Sequence, residues 1–365
     1  MPLLFEPFRL RDVSFPNRIW LSPMCQYSCE AQDGMPHDWH LAHLGARAQG
    51  GFGLVMSEAV AVTAQGRITA QDAGLWSDEQ AEAWTRIVDF VHAQGARFGF
   101  QISHAGRKAS TYRGFPGEPK GAVPATADGW TTVAPSAIPH HGNPPPKPLT
   151  HDEMDEVRDA FVAAAHRADR TGADVLEIHA AHGYLLHEFL SPIANDRDDD
   201  YGGSFEGRIR FPLQVVDAVR AAWPQGKPLF VRVSATDWIP GGWDLEQTSR
   251  LAGLLKARGV DLIDVSSGSI GPADIPVGRN YQVPLSARIR ADNGIPTAAV
   301  GLILEPKQAE NLLEAGDADA VFLARVALRE SAWPLRAAWE LGLSWEDAPY
   351  PGQYVRGRWD AVPRD

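Results

Sequence analysis

Three side chains suited to hydrogen-bond and proton-transfer chemistry lie within six consecutive residues. They are His179, His182 and Tyr184. Two imidazoles three positions apart can direct N–H groups at one point, where they would stabilise an oxyanion. A phenol with an ordinary pKa of about 10 protonates only a strong base, such as a carbanion or an enolate. The spacing therefore predicts a site that polarises a substrate oxygen and delivers a proton close by.

The same histidines are also candidate metal ligands. Zinc in an enzyme normally has three protein ligands, and the sequence contains no HExxH motif and no CxxC pair. Three further histidines recur every third residue at His37, His40 and His43, but that spacing is typical of one helix face. We therefore favour the hydrogen-bond donor pair and expect no metal.

Two arginines indicate an anion-binding site. Arg232 lies inside a short apolar run, and a buried guanidinium needs either an anionic ligand or an ion pair with Asp or Glu. Arg325 follows the last apolar run, and Gly301 follows the one before it. Glycine lets backbone amides approach a phosphate closely. Because no GxGxxG joins a strand to a helix, the pattern favours a phosphate-bearing mononucleotide over a Rossmann dinucleotide domain.

Eight short apolar runs separated by amphipathic segments must position these residues. Near-continuous apolar runs of this length suit strands that are buried on both faces. The predicted strands are Arg18–Leu21, Gly53–Ser57, Phe98–Ile102, Val175–His179, Leu229–Val233, Leu262–Ser266, Thr297–Val300 and Ala320–Ala324. The alternation predicts a single α/β domain over residues 1–365, a (β/α)8 TIM barrel, with an open doubly wound sheet as the alternative. In such barrels the chemistry lies at the carboxyl ends of the strands.

The intervening segments carry helix signals. Helices are predicted at Asp78–Gln94, Asp152–Thr171 and Glu246–Arg258, and Thr150 resembles an N-cap. Glycines that would end helices just before the next strand are Gly95, Gly172, Gly259 and Gly316.

Residues 104–149 break this alternation after the third strand. The segment has no helical period and contains nine prolines. A long proline-rich excursion in a compact domain is either a functional lid or a disordered segment. Trp130 and Ile138 give it apolar groups to bury, so we predict a lid.

Composition narrows the class of protein. The formal net charge of −12 disfavours binding to nucleic acid or anionic membranes. We find no secretory signal and no apolar run near the roughly 20 residues that span a bilayer. Two cysteines, Cys25 and Cys29, exclude a disulfide framework. We expect a cytoplasmic protein that acts on a small molecule.

The sequence resembles the old yellow enzyme family, and within it the xenobiotic reductase or thermophilic-like ene-reductase branch. The likeness covers nearly the whole chain and rests on several motifs in combination. These are Leu3–Pro7, Asn17–Ile19, Ser22–Tyr27, Gln65–Ile68, Gln101–Lys108, Glu177–Leu185 and Tyr201–Ser204.

The resemblance implies noncovalent FMN, NADPH or NADH as hydride donor, and reduction of the activated C=C bond of α,β-unsaturated carbonyl or nitro compounds. The implied flavin contacts are Ser22, Pro23, Met24, Cys25, Ala59, Gln101, Arg232, Gly301, Ala324 and Arg325. Among these, Cys25 would tune the flavin potential. Tyr27 would line the substrate site, the two histidines would hold the substrate oxygen, and Tyr184 would be the proton donor. Another FMN barrel dehydrogenase and a metal-dependent barrel hydrolase are the alternative functions.

The resemblance also implies an assembly. Residues 349–360 are similar to a C-terminal arm that this branch inserts into a neighbour's active site, with Arg356 reaching the substrate. We therefore expect a homodimer, or a tetramer of dimers, with shared active sites. Three positions depart from the family pattern: Gly207 replaces an Asn, Ala324 replaces a Gly, and Arg358 is extra.

Overall fold

The computed structural model describes residues 1–361. Eight parallel strands form a closed barrel in which each strand pairs with the next along the chain and the last pairs with the first. In chain order they are β1 Ile19–Leu21, β2 Leu54–Ala61, β3 Arg97–Ser103, β4 Val175–Ala180, β5 Leu229–Ser234, β6 Leu262–Ser266, β7 Thr297–Ala299 and β8 Ala320–Leu323. The predicted TIM barrel is confirmed, and closure of the sheet excludes the doubly wound alternative.

The largest difference from the predicted strands is in β2. The predicted strand stops at Ser57, whereas β2 continues to Ala61. A bulge between Met56 and Ala59 shifts its register against β3, so that Ala59 lies opposite Gln101. The strand therefore continues through Glu58 to Ala61.

Helices surround the barrel. They are α1 Asp38–Gln49, α2 Asp78–Ala93, α3 His151–Arg170, α4 Leu185–Leu190, α5 Phe205–Ala222, α6 Leu245–Ala257, α7 Val283–Asn293, α8 Pro306–Glu314, α9 Arg325–Arg329 and α10 Trp333–Glu340. The three predicted helices are present, with ends that differ by one residue. Thr150 caps α3 through a hydrogen bond from the Glu153 amide to its hydroxyl. The four glycines predicted to end helices all have left-handed φ, between 75° and 85°.

A two-stranded hairpin closes the amino end of the barrel. Its strands are Phe8–Leu10 and Val13–Phe15. Four buried aromatic residues, one from the hairpin and three from barrel strands, pack together where the hairpin meets the barrel interior. We call them the aromatic layer: Phe15, Trp20, Phe230 and Phe322. The Trp20 ring centroid lies 4.9 Å from that of Phe15, 5.8 Å from that of Phe230 and 5.4 Å from that of Phe322. This end of the barrel is a packed apolar core.

The proline-rich segment, residues 104–149, packs against the barrel. Val133–Ala134 pairs with Lys147–Pro148. Trp130 is half-buried, and its indole N–H donates to the Gln65 carbonyl at 2.9 Å. Arg197 donates to the Pro135 carbonyl at 2.9 Å. The segment thus covers part of the barrel, and its action as a lid stays a prediction.

Candidate functional site

The residues His179 to Tyr184, which we call the histidine turn, leave the carboxyl end of β4. His182 and Gly183 both have left-handed backbone, with φ of 60° and 71°. A Cβ atom at Gly183 would lie 2.4 Å from the Ser269 carbonyl oxygen, so only glycine fits there. The His182 amide donates to the Ser234 hydroxyl at 2.9 Å, and the Gly183 amide donates to His187 Nδ1 at 2.8 Å. Hydrogen bonds to side chains thus fix the backbone of this turn.

The structure brings the two histidines and the tyrosine together, as their spacing predicted. His179 Nε2 and His182 Nδ1 lie 3.3 Å apart. The Tyr184 ring packs edge-on against His179, with centroids 5.1 Å apart. His179 Nδ1 accepts a hydrogen bond from the Ala181 amide, so the ring hydrogen of neutral His179 is on Nε2. That N–H is directed at His182 Nδ1.

Burial determines the protonation of this group. It lowers the pKa of His179 and of His182 well below the ordinary value, and the charge of Arg232 lowers both further. Both imidazoles are therefore neutral at pH 7. Burial raises the pKa of the Tyr184 phenol well above its ordinary value, so this hydroxyl keeps its proton until a strong base takes it.

Ser266 and Lys108 complete the surroundings of the turn. His182 Nε2 lies 2.7 Å from the Ser266 hydroxyl at the end of β6. The Lys108 ammonium donates to the His182 carbonyl at 2.8 Å and lies 5.1 Å from the Tyr184 ring centroid. Burial lowers the pKa of Lys108 to about 8. Sequence reasoning missed both roles, although Lys108 ends one of the recognised motifs.

A cavity of about 180 Å³ lies beside the turn at the carboxyl ends of β5 to β8. We call it the arginine cavity. Four of its lining residues were predicted: Arg232, Gly301, Ala324 and Arg325. The cavity is also lined by Tyr281 and Gln282, the two residues that precede α7. No sequence signal indicated either of them.

The open side of this cavity suits an anion. Arg325 is exposed, and its guanidinium makes no hydrogen bond or ion pair with any other residue from 1 to 361. Gly301 has φ of 123°, and a Cβ atom there would lie 2.9 Å from Gln282 Nε2. An unpaired guanidinium beside a stretch of backbone without a side chain is the arrangement that binds a phosphate.

Arg232 occupies the buried side of the cavity. Its Nη1 donates to the Ser22 hydroxyl at 3.3 Å, and its Nε lies 3.2 Å from Asp264 Oδ2. The ion pair considered in the sequence is therefore present, and the same arginine also lines the cavity. The Nε contact lacks hydrogen-bond geometry, and both carboxylate oxygens of Asp264 have no hydrogen-bond partner within residues 1–361.

A second buried carboxyl group lies close to this pair. Glu177 on β4 accepts a hydrogen bond of 2.7 Å from the Gln101 side chain. Burial and the charge of Asp264 raise the pKa of Glu177 to about 8, and burial raises that of Asp264 to about 6. Gln101 is thus held at the barrel mouth by a carboxyl group whose burial favours its protonated form.

The loop Ser22–Tyr27 follows β1 and lies at the same end of the barrel. The Ser22 amide donates to the Leu323 carbonyl of β8, and the Gln26 amide donates to Glu58 Oε2, both at 3.0 Å. Pro23 is buried, whereas Met24 and Cys25 are half-buried. Burial, with the charges of Asp72 and Glu58, raises the pKa of Cys25, so its thiol stays protonated.

Residues 349–360 pack on the outside of their own chain. Trp359 stacks on Trp339 of α10, with centroids 5.3 Å apart. Arg356 is exposed and makes no hydrogen bond or ion pair with any other residue from 1 to 361. Its side chain is therefore free to contact another molecule.

The three departures from the family pattern fit the structure. The Gly207 amide still donates to the Ser204 hydroxyl at 3.1 Å, and a Cβ atom at Gly207 would lie 2.1 Å from the Gly202 carbonyl oxygen. Ala324 has negative φ, −112°, which alanine tolerates. The Arg358 guanidinium lies over the Trp345 ring at 5.1 Å.

Two further features concern metals and membranes. Within residues 1–361, no three His, Cys, Asp or Glu side chains are arranged to hold a metal ion. His37 caps α1, and His40 completes the capping box, so two of the three regularly spaced histidines cap the helix. None of the helices in this part of the chain has the length and apolar character to cross a membrane.

Comparison with known proteins gives consistent matches along the chain. Residues 3–343 match the NADH:flavin oxidoreductase / NADH oxidase family. The chain is 46% identical over 356 residues to an NADPH dehydrogenase of Geobacillus thermodenitrificans, covering 97% of this chain and 98% of the relative. It is 45% identical over 357 residues to an NADPH dehydrogenase of Listeria innocua, covering 98% and 99%.

Solved structures give a similar result. Morphinone reductase superposes with a TM-score of 0.78 at 28% identity, covering 94% of this chain and 90% of that one. An old yellow enzyme homologue from Zymomonas mobilis superposes with a TM-score of 0.76 at 28% identity, covering 96% and 99%.

Proposed function

Because the chain belongs to the NADH:flavin oxidoreductase / NADH oxidase family, we propose that its histidine turn binds the oxygen of an electron-poor alkene. The predicted resemblance to old yellow enzymes is confirmed, and the chain is an FMN-dependent NAD(P)H oxidoreductase of the ene-reductase type. The family match removes the support for a metal-dependent hydrolase. The roles of individual residues, the assembly and the location below are our proposals.

The arginine cavity fits FMN. Arg325 offers an unpaired charge for the phosphate, and Gly301 leaves room for it. Arg232 and Gln101 would hold the pyrimidine edge of the ring together with Ala59, and the loop Ser22–Cys25 would pass beside it. When bound, FMN accepts hydride from the nicotinamide and donates it to the substrate, which is chemistry that no side chain supplies.

The histidine turn would polarise the substrate. His179 carries its hydrogen on Nε2, which donates to His182 Nδ1 while no substrate oxygen lies between the rings. His182 can supply a second donor because the Ser266 hydroxyl can either accept from Nε2 or donate to it. When a substrate oxygen replaces the contact between the two rings and Ser266 donates to Nε2, the hydrogen of neutral His182 would move to Nδ1, and both N–H groups would then donate to that oxygen. Two such donors lower the energy of a developing enolate by a few kcal/mol.

Tyr184 would complete the reaction. Hydride addition at Cβ of an enone leaves an enolate, which is basic enough at Cα to take a proton from a phenol. The Tyr184 phenol keeps its proton and its ring packs against His179, so it is available as an acid beside the proposed position of the substrate oxygen. Tyr27, with its ring 6.3 Å from that of Phe115, would line the same space.

The protonated thiol of Cys25 suits a role in tuning the flavin potential. A thiolate would be required for a nucleophile or a metal ligand, and burial opposes it. The proline-rich segment, residues 104–149, would limit the range of substrates, since Lys108 within it contacts the histidine turn. The acidic net charge and two free cysteines support a cytoplasmic location.

We infer that two subunits share their active sites. Arg356 has no partner within residues 1–361, and the neighbouring Tyr354 is 49% exposed. The exposed apolar side chains of Trp39 and Leu328 line a surface cavity of about 370 Å³. Gln26, in the loop Ser22–Tyr27, lines the same cavity, so this surface adjoins the site. These surfaces support a second copy that places its C-terminal arm at the substrate site.

Mixing two inactive variants tests the shared site. One lacks the phenol (Tyr184→Phe) and the other lacks the guanidinium (Arg356→Ala). After verified subunit exchange, mixed dimers should regain activity at one site in two. The absence of recovery, or a fully active monomer, would rule out the shared site.

The observation that carries the proposed function is the pair of neutral imidazole nitrogens 3.3 Å apart beside Tyr184. The double variant His179→Ala, His182→Ala tests it. Removing one oxyanion donor typically costs about 10²–10³ in rate, so the pair should cost at least that much. The assay reduces bound FMN with dithionite and then follows reoxidation by cyclohexenone or, as control, by oxygen. Slow reoxidation by the enone with normal reoxidation by oxygen is expected, and a near wild-type enone rate would refute the role.

A further inference from the structure

A fully buried histidine–carboxylate pair lies behind the histidine turn. His187 is on α4, and Asp237 follows β5. His187 Nε2 lies 2.9 Å from Asp237 Oδ1, and both side chains have 0% exposure. Although the ring N–H is not aimed straight at the oxygen, neither atom has another hydrogen-bond partner within residues 1–361. A small rotation of the imidazole would make this contact a hydrogen bond, and each of the two buried atoms has only the other available as a partner.

The hydrogen bonds around the pair determine which ring nitrogen carries the hydrogen. The Gly183 amide donates to His187 Nδ1, and a backbone N–H only donates. Nδ1 must therefore lack a hydrogen, which leaves neutral His187 with its hydrogen on Nε2, facing Asp237. The imidazole thus connects the carboxylate to the backbone of the turn.

Asp237 is held in its ionised form by several donors. Its Oδ2 accepts from the Ser191 hydroxyl at 2.6 Å and from the Trp243 amide at 2.7 Å. Burial alone would raise the pKa of Asp237, but the hydrogen bonds from His187, Ser191 and Trp243 lower it. The ionised carboxylate makes Nδ1 of His187 a better acceptor for the Gly183 amide.

The turn needs such an anchor because its backbone is strained. His182 adopts left-handed φ, which is unfavourable for a residue other than glycine. Gly183 has the same left-handed conformation, and Tyr184 is the next residue. The conformation of these two residues therefore determines the direction of the Tyr184 side chain. Three side chains from outside the turn anchor this backbone: Ser234 and Lys108 at His182, and His187 at Gly183. Of these three, His187 binds the residue that separates His182 from Tyr184, two of the three side chains proposed to act on the substrate.

We propose that His187 and Asp237 are positioning residues, which hold the Gly183 amide and thereby place His182 and Tyr184 for alkene reduction. The inference rests on the proposed function of the histidine turn. Neither residue touches the arginine cavity, so FMN binding should not depend on them.

Asp237→Asn is the most specific test, because the surroundings dictate how the new amide lies. The Trp243 amide only donates, so the Asn oxygen must face it. The Asn NH₂ group then faces His187 Nε2 and requires an acceptor there. His187 must move its hydrogen to Nδ1, where it meets the Gly183 N–H, and the anchor is lost. The analogous carboxylate-to-amide change in a serine protease triad acts through the same tautomer reversal.

The prediction is read out in two ways. Nitrogen-15 NMR of histidine side chains should show His187 changing from the Nε2–H to the Nδ1–H tautomer, with or without FMN bound. The rate at which cyclohexenone reoxidises dithionite-reduced FMN should fall by about 10²-fold, which is expected for a misplacement of about 1 Å. The rate of reoxidation by oxygen and the affinity for FMN should both stay within about twofold of the wild-type values.

A matched control separates positioning from stability. His92 and Asp174 form another histidine–carboxylate contact, 2.7 Å long, near the amino end of the barrel, where Asp174 also accepts from the Phe98 amide. Asp174→Asn should reduce stability yet leave the enone rate unchanged within about twofold. Equal slowing by both variants would assign Asp237 a purely structural role and overturn the inference.

Substitutions at His187 keep the test falsifiable if Asp237→Asn fails to fold. Asn Oδ1 can occupy the place of the Nδ1 acceptor, so His187→Asn should retain much more enone activity than His187→Leu. Equal activity of these two variants would contradict the proposal. If the His179→Ala, His182→Ala double variant keeps the wild-type enone rate, the proposed function is wrong. If the double variant loses enone reduction but Asp237→Asn keeps the wild-type enone rate, only the positioning role of His187 and Asp237 is wrong.

Discussion

The two ends of the barrel differ in chemistry although the same strands form both. On β5, Phe230 belongs to the aromatic layer, and Arg232, two residues later, lines the arginine cavity. Side chains two residues apart on a strand point to the same side. A single strand therefore contributes a ring to the apolar core and a charge to the functional site.

This contrast shows how the chain tolerates a buried charged site. Arg232, Asp264 and Glu177 are each less than 7% exposed, and burying charge opposes folding even when the charges are paired. Packing of large aromatic rings at the amino end provides favourable burial that offsets this cost. We expect substitutions at the carboxyl end to affect chemistry and those at the amino end to affect stability.

The largest expected effect is at the carboxyl end, for Tyr184→Phe. Loss of a positioned general acid typically costs about 10²–10⁴ in rate, while the packing of the ring against His179 is kept. Reoxidation of reduced FMN by cyclohexenone should slow by that factor, with the free energy of unfolding nearly unchanged. An unchanged rate would mean that water or another group supplies the proton.

At the amino end, Trp20→Ala should affect stability instead. Trp20 is fully buried and contacts the other three rings of the aromatic layer, so its truncation should cost about 3–5 kcal/mol of unfolding free energy. Urea denaturation measures this loss. At low temperature the folded variant should bind FMN and reduce enones near the wild-type rate. A large loss of activity with unchanged stability would remove the distinction between the two ends.

A smaller effect is expected for Arg325→Ala. Removing a charge-assisted hydrogen bond to phosphate should weaken FMN binding by about 1.5–3 kcal/mol. Fluorescence titration of FMN into the FMN-free protein gives the dissociation constant. Arg329→Ala provides the matched control, because Arg329 is an exposed arginine on the same helix, α9, but does not line the cavity. Equal FMN affinity of both variants would contradict the phosphate role.

The smallest effect concerns pH. Burial and the charge of Asp264 raise the pKa of Glu177 to about 8, so its contribution to stability is fully present below the ordinary carboxyl pKa, is lost as the pH rises towards about 8, and does not change further above it. Lys108 and Glu188 titrate in the same range in every variant, so the informative quantity is the Tm of each variant relative to that of the wild type. The relative Tm of Glu177→Gln should rise between pH 7 and 8, where His179 and His182 are already neutral, and then stay constant, whereas the relative Tm of Glu314→Gln, at an exposed position, should not change with pH. Parallel curves for all three proteins would refute the assignment.

The contrast between the ends also explains what the sequence could predict. Apolar periodicity indicated all eight strands because each is buried on both faces. The histidine turn was recognisable because its three functional residues are close in sequence. For Arg232, sequence reasoning left an anionic ligand and an ion pair open, and the structure shows that it contacts Asp264 while lining the cavity.

Features that depend on distant parts of the chain gave no sequence signal. Ser266 reaches His182 only because β6 lies near β4 in the closed barrel, 84 residues further along the chain. Gln282 lines the cavity from the position just before α7, and no sequence pattern indicates it. The pairing of His187 with Asp237 joins positions separated by 50 residues, neither of which belongs to a motif with an assigned role.

An anaerobic titration tests the central claim, that the carboxyl end passes reducing equivalents from a nicotinamide to an electron-poor alkene through FMN. One equivalent of NADPH should bleach the flavin absorbance of the purified protein. One equivalent of cyclohexenone should then restore the absorbance and yield one equivalent of cyclohexanone. If the bleached protein recovers on exposure to air but not on addition of the enone, the protein is a flavin oxidoreductase of another kind and the proposed role of the histidine turn is wrong.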